Sequence, residues 1–175
     1  NQPFDEVVKN LDADDTHVKG MALELLAVWI VRLLGLRFVE WRLRDLKRTG
    51  GGEVDVLAAS DKFVYNRWQI QCKNTVNKVT VDEVAKEFGL TVLTNADIIL
   101  MITTSNFTSD ARNYADVLMS RSRYYVVLMD GNDIDQIIED KTAIIQMLND
   151  KASLVFFRKE ILSRNENLEE KQTNL

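Results

Sequence analysis

Two segments near the middle of the chain carry residues of the types that metal-dependent chemistry needs. Asp55 lies in the apolar segment 54–59, and Gln71 and Lys73 end the alternating segment 63–73. Because side chains alternate along a strand, Gln71 and Lys73 point to the same face of theirs. If the two segments pair as a hairpin, a carboxylate, an amide oxygen and an ammonium group meet at one place.

This grouping predicts a magnesium site. Mg²⁺ prefers oxygen ligands and keeps several of its waters. Asp55 would bind the ion directly, and the side-chain oxygen of Gln71 could add a weak neutral ligand. Lys73 would hold positive charge beside a water or a developing oxyanion. The polar face of an ordinary edge strand, with Lys73 solvated, would show the same short pattern, so the surrounding sequence has to decide between the two.

The predicted hairpin has further features that suit a ligand site. Its turn falls at Asp61-Lys62, and its first strand places Glu53 on the same face as Asp55. Three glycines, Gly50 to Gly52, precede that strand and carry no side chains that would keep a large ligand away. The other face of the second strand is expected to face the core, with Trp68, Ile70 and Cys72 as its members.

The composition is that of one globular domain. The chain has 175 residues, of which 46% are apolar and 28% charged, and this length suffices for a sizeable core. A single cysteine and a single histidine exclude an internal disulfide and a zinc site of the usual Cys/His kind. The longest apolar run, residues 25–31, is too short to span a bilayer. We therefore expect no membrane partner and a reducing, cytoplasmic location.

Basic residues cluster around the candidate site although the whole chain has a net charge of −5. Residues 37–78 contain nine Lys or Arg and five Asp or Glu, a local net charge of +4. The segments 1–36, 79–130 and 131–175 each have a net charge of −3. Attraction of phosphate needs positive charge at the site itself. The distribution therefore favours a nucleic acid partner at residues 37–78, although a solvated charged surface would show it too.

One acidic residue lies on a helix that has almost no polar face. This helix is predicted from about Val18 to Leu34, and Gly35 provides its C-terminal stop. Glu24 lies beside apolar neighbours on it, and a buried carboxylate needs a partner. An arginine or lysine from elsewhere is one candidate. A metal ion, its water or Lys73 is the other, and the helical pattern leaves both open.

The remaining pattern predicts a sheet with helices on both faces. Strands are expected at 36–44, in the hairpin, at 96–103 and at 124–129, with helices at 4–11, from residue 80, at 109–122 and from about 134 to 162. Three consecutive strands can form an antiparallel meander, and later αβ units add strands by crossover. The predicted fold class is therefore α/β, with a mixed central sheet flanked by helices.

The order of these elements and the residues on them resemble the PD-(D/E)xK nuclease superfamily, and within it the Mrr-like restriction endonucleases. That branch has two glycines shortly before the aspartate, as in Gly51-Gly52-Glu53-Val54-Asp55, and a glutamine in place of the acid before x-Lys, as in Gln71-Cys72-Lys73. The downstream segments 102–111, 114–115 and 127–131 are similar as well. The resemblance covers about residues 18–140 and implies an αβββαβ core with an added αβ unit and C-terminal helices.

The resemblance implies roles for particular residues. Asp55 would be the metal-binding acid and Lys73 the catalytic lysine, with Gln71 between them and the backbone carbonyl of Cys72 completing the metal shell. Glu24 matches the acid that such nucleases often carry on the helix before the sheet. The implied cofactor is Mg²⁺, for which Mn²⁺ can substitute. Candidate DNA contacts are Arg42, Arg44, Lys47, Arg48, Gly51, Gly52, Thr104 and Ser105.

We therefore expect a magnesium-dependent domain that hydrolyses phosphodiester bonds of double-stranded DNA in a restriction or phage-defence enzyme. A catalytically silent DNA-binding module of the same fold and a helical oligomerisation scaffold are the alternatives. Residues 1–16 are expected to form an N-terminal arm with a short helix, and 17–140 the nuclease core. Residues 141–175 would form a helical extension and a polar tail leading to a further domain. The expected protein partners are a second copy, in a homodimer, and the additional domains of a longer chain.

Overall fold

The computed structural model describes residues 2–44, 47, 51–60, 66–154, 157, 160 and 161. The strands in this part of the chain are β1 (Arg37–Leu43), β2 (Val54–Ser60), β3 (Asn66–Lys73), β4 (Ile98–Thr103) and β5 (Tyr125–Met129). The helices are α1 (Phe4–Leu11), α2 (Thr16–Leu33), α3 (Val81–Thr94), α4 (Ser109–Arg121) and α5 (Gly131–Glu139), and residues 143–154 are also helical. No helix within these described ranges is long and apolar enough to cross a membrane. The predicted turn at Asp61-Lys62 and the tail from residue 162 lie outside them.

The sheet is mixed and has the strand order β1-β2-β3-β4-β5. β1, β2 and β3 form an antiparallel meander, and β4 and β5 add in parallel to β3. The parallel pairs arise because α3 and α4 carry the chain back before the next strand begins. Lys73 of β3 pairs with Thr103 of β4, so the loops that follow these two strands meet at one edge. The predicted α/β class with a mixed sheet flanked by helices is confirmed.

Helices cover both faces of the sheet. On one face, α1 and α2 pack on residues such as Val56, Ile70 and Leu100. On the other face, α3 and α4 pack on Ile99 and Met101. β4 is apolar from Ile98 to Ile102, and residues on both of its faces are buried. The predicted core face of β3 is confirmed, since its members pack in the first of these clusters: Trp68, Ile70 and Cys72.

Side-chain caps determine where the helices next to the site begin. The Asp15 side chain accepts hydrogen bonds from the backbone N–H groups of His17 and Val18, at 2.7 and 3.2 Å, so α2 begins two residues before the predicted start. The Thr80 N–H donates to Glu83 Oε2 at 3.0 Å, within a capping box that fixes the first turn of α3. α3 therefore begins at a fixed point close to the end of β3.

Candidate active site

The predicted metal-binding residues meet where β2 and β3 separate. The pairing of β2 with β3 ends at Val56 opposite Ile70. Asp55, the residue before Val56, lies just beyond this last pair. Its Oδ2 atom accepts one hydrogen bond from Gln71 Nε2 and one from the backbone N–H of Cys72, each at 2.7 Å. The carboxylate thus takes the place of a backbone acceptor on the neighbouring strand and is fixed against the end of β3.

Asp55 is an acid whose charge is costly in its surroundings. Its exposed fraction is 7%, and this burial raises the pKa of Asp55 to about 6. The hydrogen bond from Cys72 acts against the shift, while the carboxylates of Glu24 and Glu53 add to it and Lys73 lowers it. Asp55 therefore shares its surroundings with two other acids, and a bound cation would relieve both the desolvation and the repulsion.

The side-chain oxygen of Gln71 is a buried acceptor that has no donor among the described residues. The amide nitrogen of the same side chain donates to Asp55. A buried acceptor without a donor is costly, and a hard cation shared with Asp55 would satisfy it. The donor set therefore fits magnesium, with one carboxylate and one amide oxygen. Waters would complete the shell, because the described chain contains no metal-binding group of three or more His, Cys, Asp or Glu side chains.

Lys73 ends β3 with its ammonium group held by the first turn of α3. Its Nζ atom lies 3.5 Å from Oε1 of Glu83. The other oxygen of Glu83 accepts the N–H of Thr80 and so closes the cap of α3. Glu83 is thereby fixed by its own helix, and it holds the charge of Lys73 close enough to Asp55 to lower the pKa of that carboxyl.

The predicted helix acid, Glu24, is paired with an arginine. Nε and Nη2 of Arg42 donate to its two oxygens at 2.7 and 2.9 Å, and the indole N–H of Trp41 donates to it as well. Of the two kinds of partner that the sequence left open, the arginine is the one in contact. The charge of Glu24 also contributes to the raised pKa of Asp55. The role of Glu24 as a metal-site acid stays a prediction.

The basic residues expected to contact DNA have different surroundings. Arg42 was expected to face DNA, but its guanidinium group is directed at the helix acid. Arg44 donates to Glu53, yet its side chain is 70% exposed. Lys47 is also exposed, and Arg48 lies outside the described residues. All three described basic candidates are thus exposed, and Arg44 is more exposed than Arg42.

Two glycines and the loop after β4 make up the rest of the predicted DNA contacts. Gly51 has a φ of 87°, which suits glycine alone, and Gly52 is half-buried. The hydroxyl groups of Thr104 and Ser105 donate to acceptors in the loop 74–76 at 3.2 to 3.4 Å. They therefore tie two loops together at the wall of a groove of about 920 Å³.

A second buried acid, Glu87 on α3, was missed in the sequence. Its side chain is fully buried. Gln69 Nε2 donates to its Oε2 atom at 3.0 Å, and the Thr94 hydroxyl donates to Gln69 Oε1 at 2.9 Å. Burial raises the pKa of Glu87 to about 7. The helical spacing contained the signal, since Glu87 lies three residues from both Val84 and Leu90 on the buried face of α3.

Comparison with protein families identifies the class to which this chain belongs. The Mrr_cat model, which describes a restriction endonuclease family, matches residues 17–138. The match covers more than half of the chain. The chain therefore belongs to the Mrr_cat family of restriction endonucleases, and the resemblance inferred from Asp55, Gln71 and Lys73 is confirmed at the level of the family.

Relatives with known names show how much of a longer enzyme this chain represents. The Type IV methyl-directed restriction enzyme EcoKMrr of Escherichia coli (strain K12) is 29% identical over 127 residues, which are 73% of this chain and 39% of that enzyme. The DNA modification-dependent restriction endonuclease AspBHI has a similar fold, with a TM-score of 0.54 and 16% identity over 86% of this chain and 38% of AspBHI. The MspJI restriction endonuclease, solved with a 27-mer oligonucleotide, has a TM-score of 0.50 and 20% identity over 90% of this chain and 34% of MspJI. The chain thus spans less than half the length of each.

Proposed function

We propose that this chain is a divalent-metal-dependent DNA endonuclease domain. The observation that carries the proposal is the contact of the buried Asp55 with Gln71 and Cys72 at the end of β3, where the Gln71 oxygen has no donor among the described residues and the charge of Lys73 acts on Asp55. Membership of a restriction endonuclease family supports the reaction class. The reaction would be hydrolysis of a phosphodiester bond in double-stranded DNA, with Mg²⁺ as cofactor and Mn²⁺ as a substitute.

The position of each residue suggests its task. Asp55 and Gln71, with the backbone carbonyl of Cys72, would hold the cation. A bound Mg²⁺ would act as a Lewis acid toward the phosphoryl oxygens. Lys73 would stabilise the negative charge that grows on those oxygens in the transition state, and its Nζ atom lies 3.5 Å from Oε1 of Glu83.

DNA would approach across the segment that joins β1 to β2. The exposed Arg44 and Lys47 support this direction, and Gly51 and Gly52 leave the neighbouring backbone free of side chains. The proposed contacts also include Arg42 and Arg48, with Thr104 and Ser105 at the wall of the adjoining groove. Positive charge at these positions would attract phosphate although the whole chain is acidic.

A role in a restriction or phage-defence system is proposed from the relatives, one of which is named as a methyl-directed restriction enzyme. Because this chain spans 39% of that enzyme, choice of the target would depend on further domains of a longer protein. The helical extension from residue 141 would lead to such a domain. A homodimer stays a prediction.

A catalytically silent DNA-binding module of the same fold is the second candidate. One carboxylate and one neutral amide make a weak magnesium site, and the described residues add no third acidic, Cys or His ligand to a common metal-binding group. Under this alternative Asp55 and Lys73 would only shape the surface that meets DNA. An oligomerisation scaffold, the third possibility, would not bind DNA at all.

Supercoiled plasmid incubated with the purified protein distinguishes the three. The nuclease would convert it to nicked and linear forms with Mg²⁺ or Mn²⁺ and would leave it intact with EDTA. Binding at low salt without cleavage in either metal would establish the silent module instead. Loss of binding even at low salt would leave only the scaffold.

A further inference from the structure

Arg42 lies among the acids of the candidate site. Its guanidinium group forms a two-pronged contact with Glu24, at 2.7 and 2.9 Å. The hydrogen bond to Glu24 raises the pKa of Arg42, and the charges of Glu24, Glu53 and Asp55 add to the rise. Arg42 thus neutralises Glu24 directly, and its charge also acts on Glu53 and Asp55.

The backbone of Arg42 has an uncommon conformation. Its φ is 50°, in the left-handed region that residues other than glycine rarely adopt. The neighbouring residues Trp41 and Leu43 pair regularly with β2, so Arg42 stands level with Asp55. A strained residue between two regular pairs needs contacts that hold it. Two contacts of the guanidinium group are available for this: the hydrogen bonds to Glu24, and the ring of Trp41, whose centroid lies 5.5 Å from the guanidinium carbon.

We propose that Arg42 is the internal counter-ion of the metal site, which competes with the divalent cation for Glu24 and is released to a DNA phosphate when substrate binds. This inference rests on the proposed function. The Arg42 side chain is 38% exposed, whereas that of Glu24 is 12% exposed, so a phosphate can reach the arginine in its present position. The planar fork of an arginine binds phosphate as readily as carboxylate.

Exchange of partners at Arg42 would couple DNA binding to metal binding. While Arg42 is bound to Glu24, the cation would meet Asp55, Gln71 and the backbone carbonyl of Cys72 without the charge of Glu24. Once a DNA phosphate binds Arg42 in place of Glu24, the carboxylate of Glu24 would be free to bind the cation. Such coupling is reciprocal, so metal must raise the affinity for DNA by the factor by which DNA raises the affinity for metal.

The first test measures Mn²⁺ binding without DNA, by calorimetry, for wild type, Arg42→Gln and Arg44→Gln. Arg44→Gln is the matched control, because it removes the same charge from the neighbouring pair with Glu53. We expect Arg42→Gln to bind Mn²⁺ roughly tenfold more tightly than wild type, within the usual range of coupling between sites. The Mn²⁺ affinity of the Arg44→Gln control should change several-fold less than that of Arg42→Gln. Equal or weaker Mn²⁺ binding by a folded Arg42→Gln would overturn the inference.

A second variant keeps the test decisive if Arg42→Gln does not fold. Arg42→Lys retains the charge but loses the fork, so its Mn²⁺ affinity should lie above that of wild type. An affinity at or below the wild-type value would again overturn the inference.

The second test measures DNA affinity with and without Mn²⁺ by fluorescence anisotropy, in a Lys73→Ala background that suppresses cleavage. Mn²⁺ should tighten DNA binding several-fold when Arg42 is present and have little effect in Arg42→Gln. An equal effect of Mn²⁺ in both proteins would contradict the proposed exchange. Asp55-dependent plasmid cleavage by wild type, found together with that result, would show that the proposed function stands and only this inference fails. Mn²⁺ binding that survives Asp55→Asn would count against the proposed function itself.

Discussion

Lys73 is the residue whose replacement best separates chemistry from binding. Its ammonium group is partly exposed and its charge acts on Asp55, and in the proposed mechanism it would act on a phosphoryl group in the transition state. We predict that Lys73→Ala lowers the single-turnover cleavage rate on the order of a hundred- to a thousand-fold and changes DNA affinity little. The control is Lys78→Ala, which removes an exposed lysine of the same basic segment and should leave the rate unchanged. A cleavage rate that survives Lys73→Ala would remove this residue from the mechanism.

Glu87 should make the stability of the protein depend on pH. Its pKa rises from the ordinary 4.5 to about 7 in the folded state, so between these values the unfolded chain binds fewer protons. Stability therefore falls as pH rises through this window. Glu87→Gln keeps an acceptor for Gln69 but cannot ionise. We predict equal stability near pH 4 and, at pH 8, a variant more stable by up to about 3 kcal/mol.

Denaturant unfolding of both proteins at several pH values checks this prediction. The difference between the two proteins is the relevant quantity, because Asp55 also has a raised pKa and titrates in both. An identical pH dependence of wild type and Glu87→Gln would show that Glu87 is not a buried ionisable group.

At the scale of single residues, spacing predicted that Asp55 and Gln71 come together but did not predict the partners of the other charged side chains. Alternation along β3 and the position of Asp55 were enough to bring Asp55 and Gln71 together. The pairing of Glu24 with Arg42 could not be predicted from the sequence. It accompanies a left-handed backbone at Arg42, near the end of β1, that no local sequence pattern indicates. Glu87 lies on the buried face of α3, which the helical spacing of its apolar residues indicates. A single acid among these apolar neighbours is easily overlooked.

At the scale of elements, α5 begins in direct contact with the loop after β4. The N–H of Gly131 donates to the carbonyl of Ser105 at 2.9 Å, and a Cβ at Gly131 would lie 2.8 Å from the carbonyl oxygen of Thr104. Because this neighbour is backbone, Gly131→Ala would displace the loop. We predict a loss of about 1–3 kcal/mol in unfolding free energy. Gly89→Ala on α3, where nothing lies within 4 Å, should instead gain about 0.5–1 kcal/mol. Losses of the same size in both variants would contradict this packing.

The elements themselves were largely predictable because their patterns are strong. Apolar periodicity predicted α1 and α2, and apolar runs of strand length predicted β4 and β5. The predicted ends of these elements lie within two residues of the observed ends. The face of β3 that carries Gln69 and Lys73 was harder. It alternates like a solvent-exposed face but is covered by α3 through Glu83 and Glu87, and this cover depends on a long-range contact.

At the scale of the whole molecule, DNA binding should be confined to one part of the surface. The chain has a net charge of −5, whereas its segment 37–78 has a net charge of +4. Each phosphate contact removed should lower the salt slope of log affinity by about one. We predict this change for Arg44→Ala, in the segment before β2. Arg121→Ala, at the end of α4 and just before β5, should leave the slope unchanged, since parallel strands begin at the edge opposite Lys73. Equal slopes for Arg44→Ala and wild type in a salt titration would place the DNA-binding face elsewhere.

Plasmid cleavage by wild type and Asp55→Asn is the most direct test of a metal-dependent nuclease centre. Asparagine keeps an acceptor for Cys72 but loses the charge that a cation needs, and it removes a buried acid whose pKa is raised to about 6. We predict that Asp55→Asn remains folded, with a melting temperature at neutral pH no lower than that of wild type. We also predict that wild type nicks supercoiled plasmid with Mg²⁺ or Mn²⁺, whereas the variant leaves it intact. Cleavage by folded Asp55→Asn at the wild-type rate would contradict the assignment of this site.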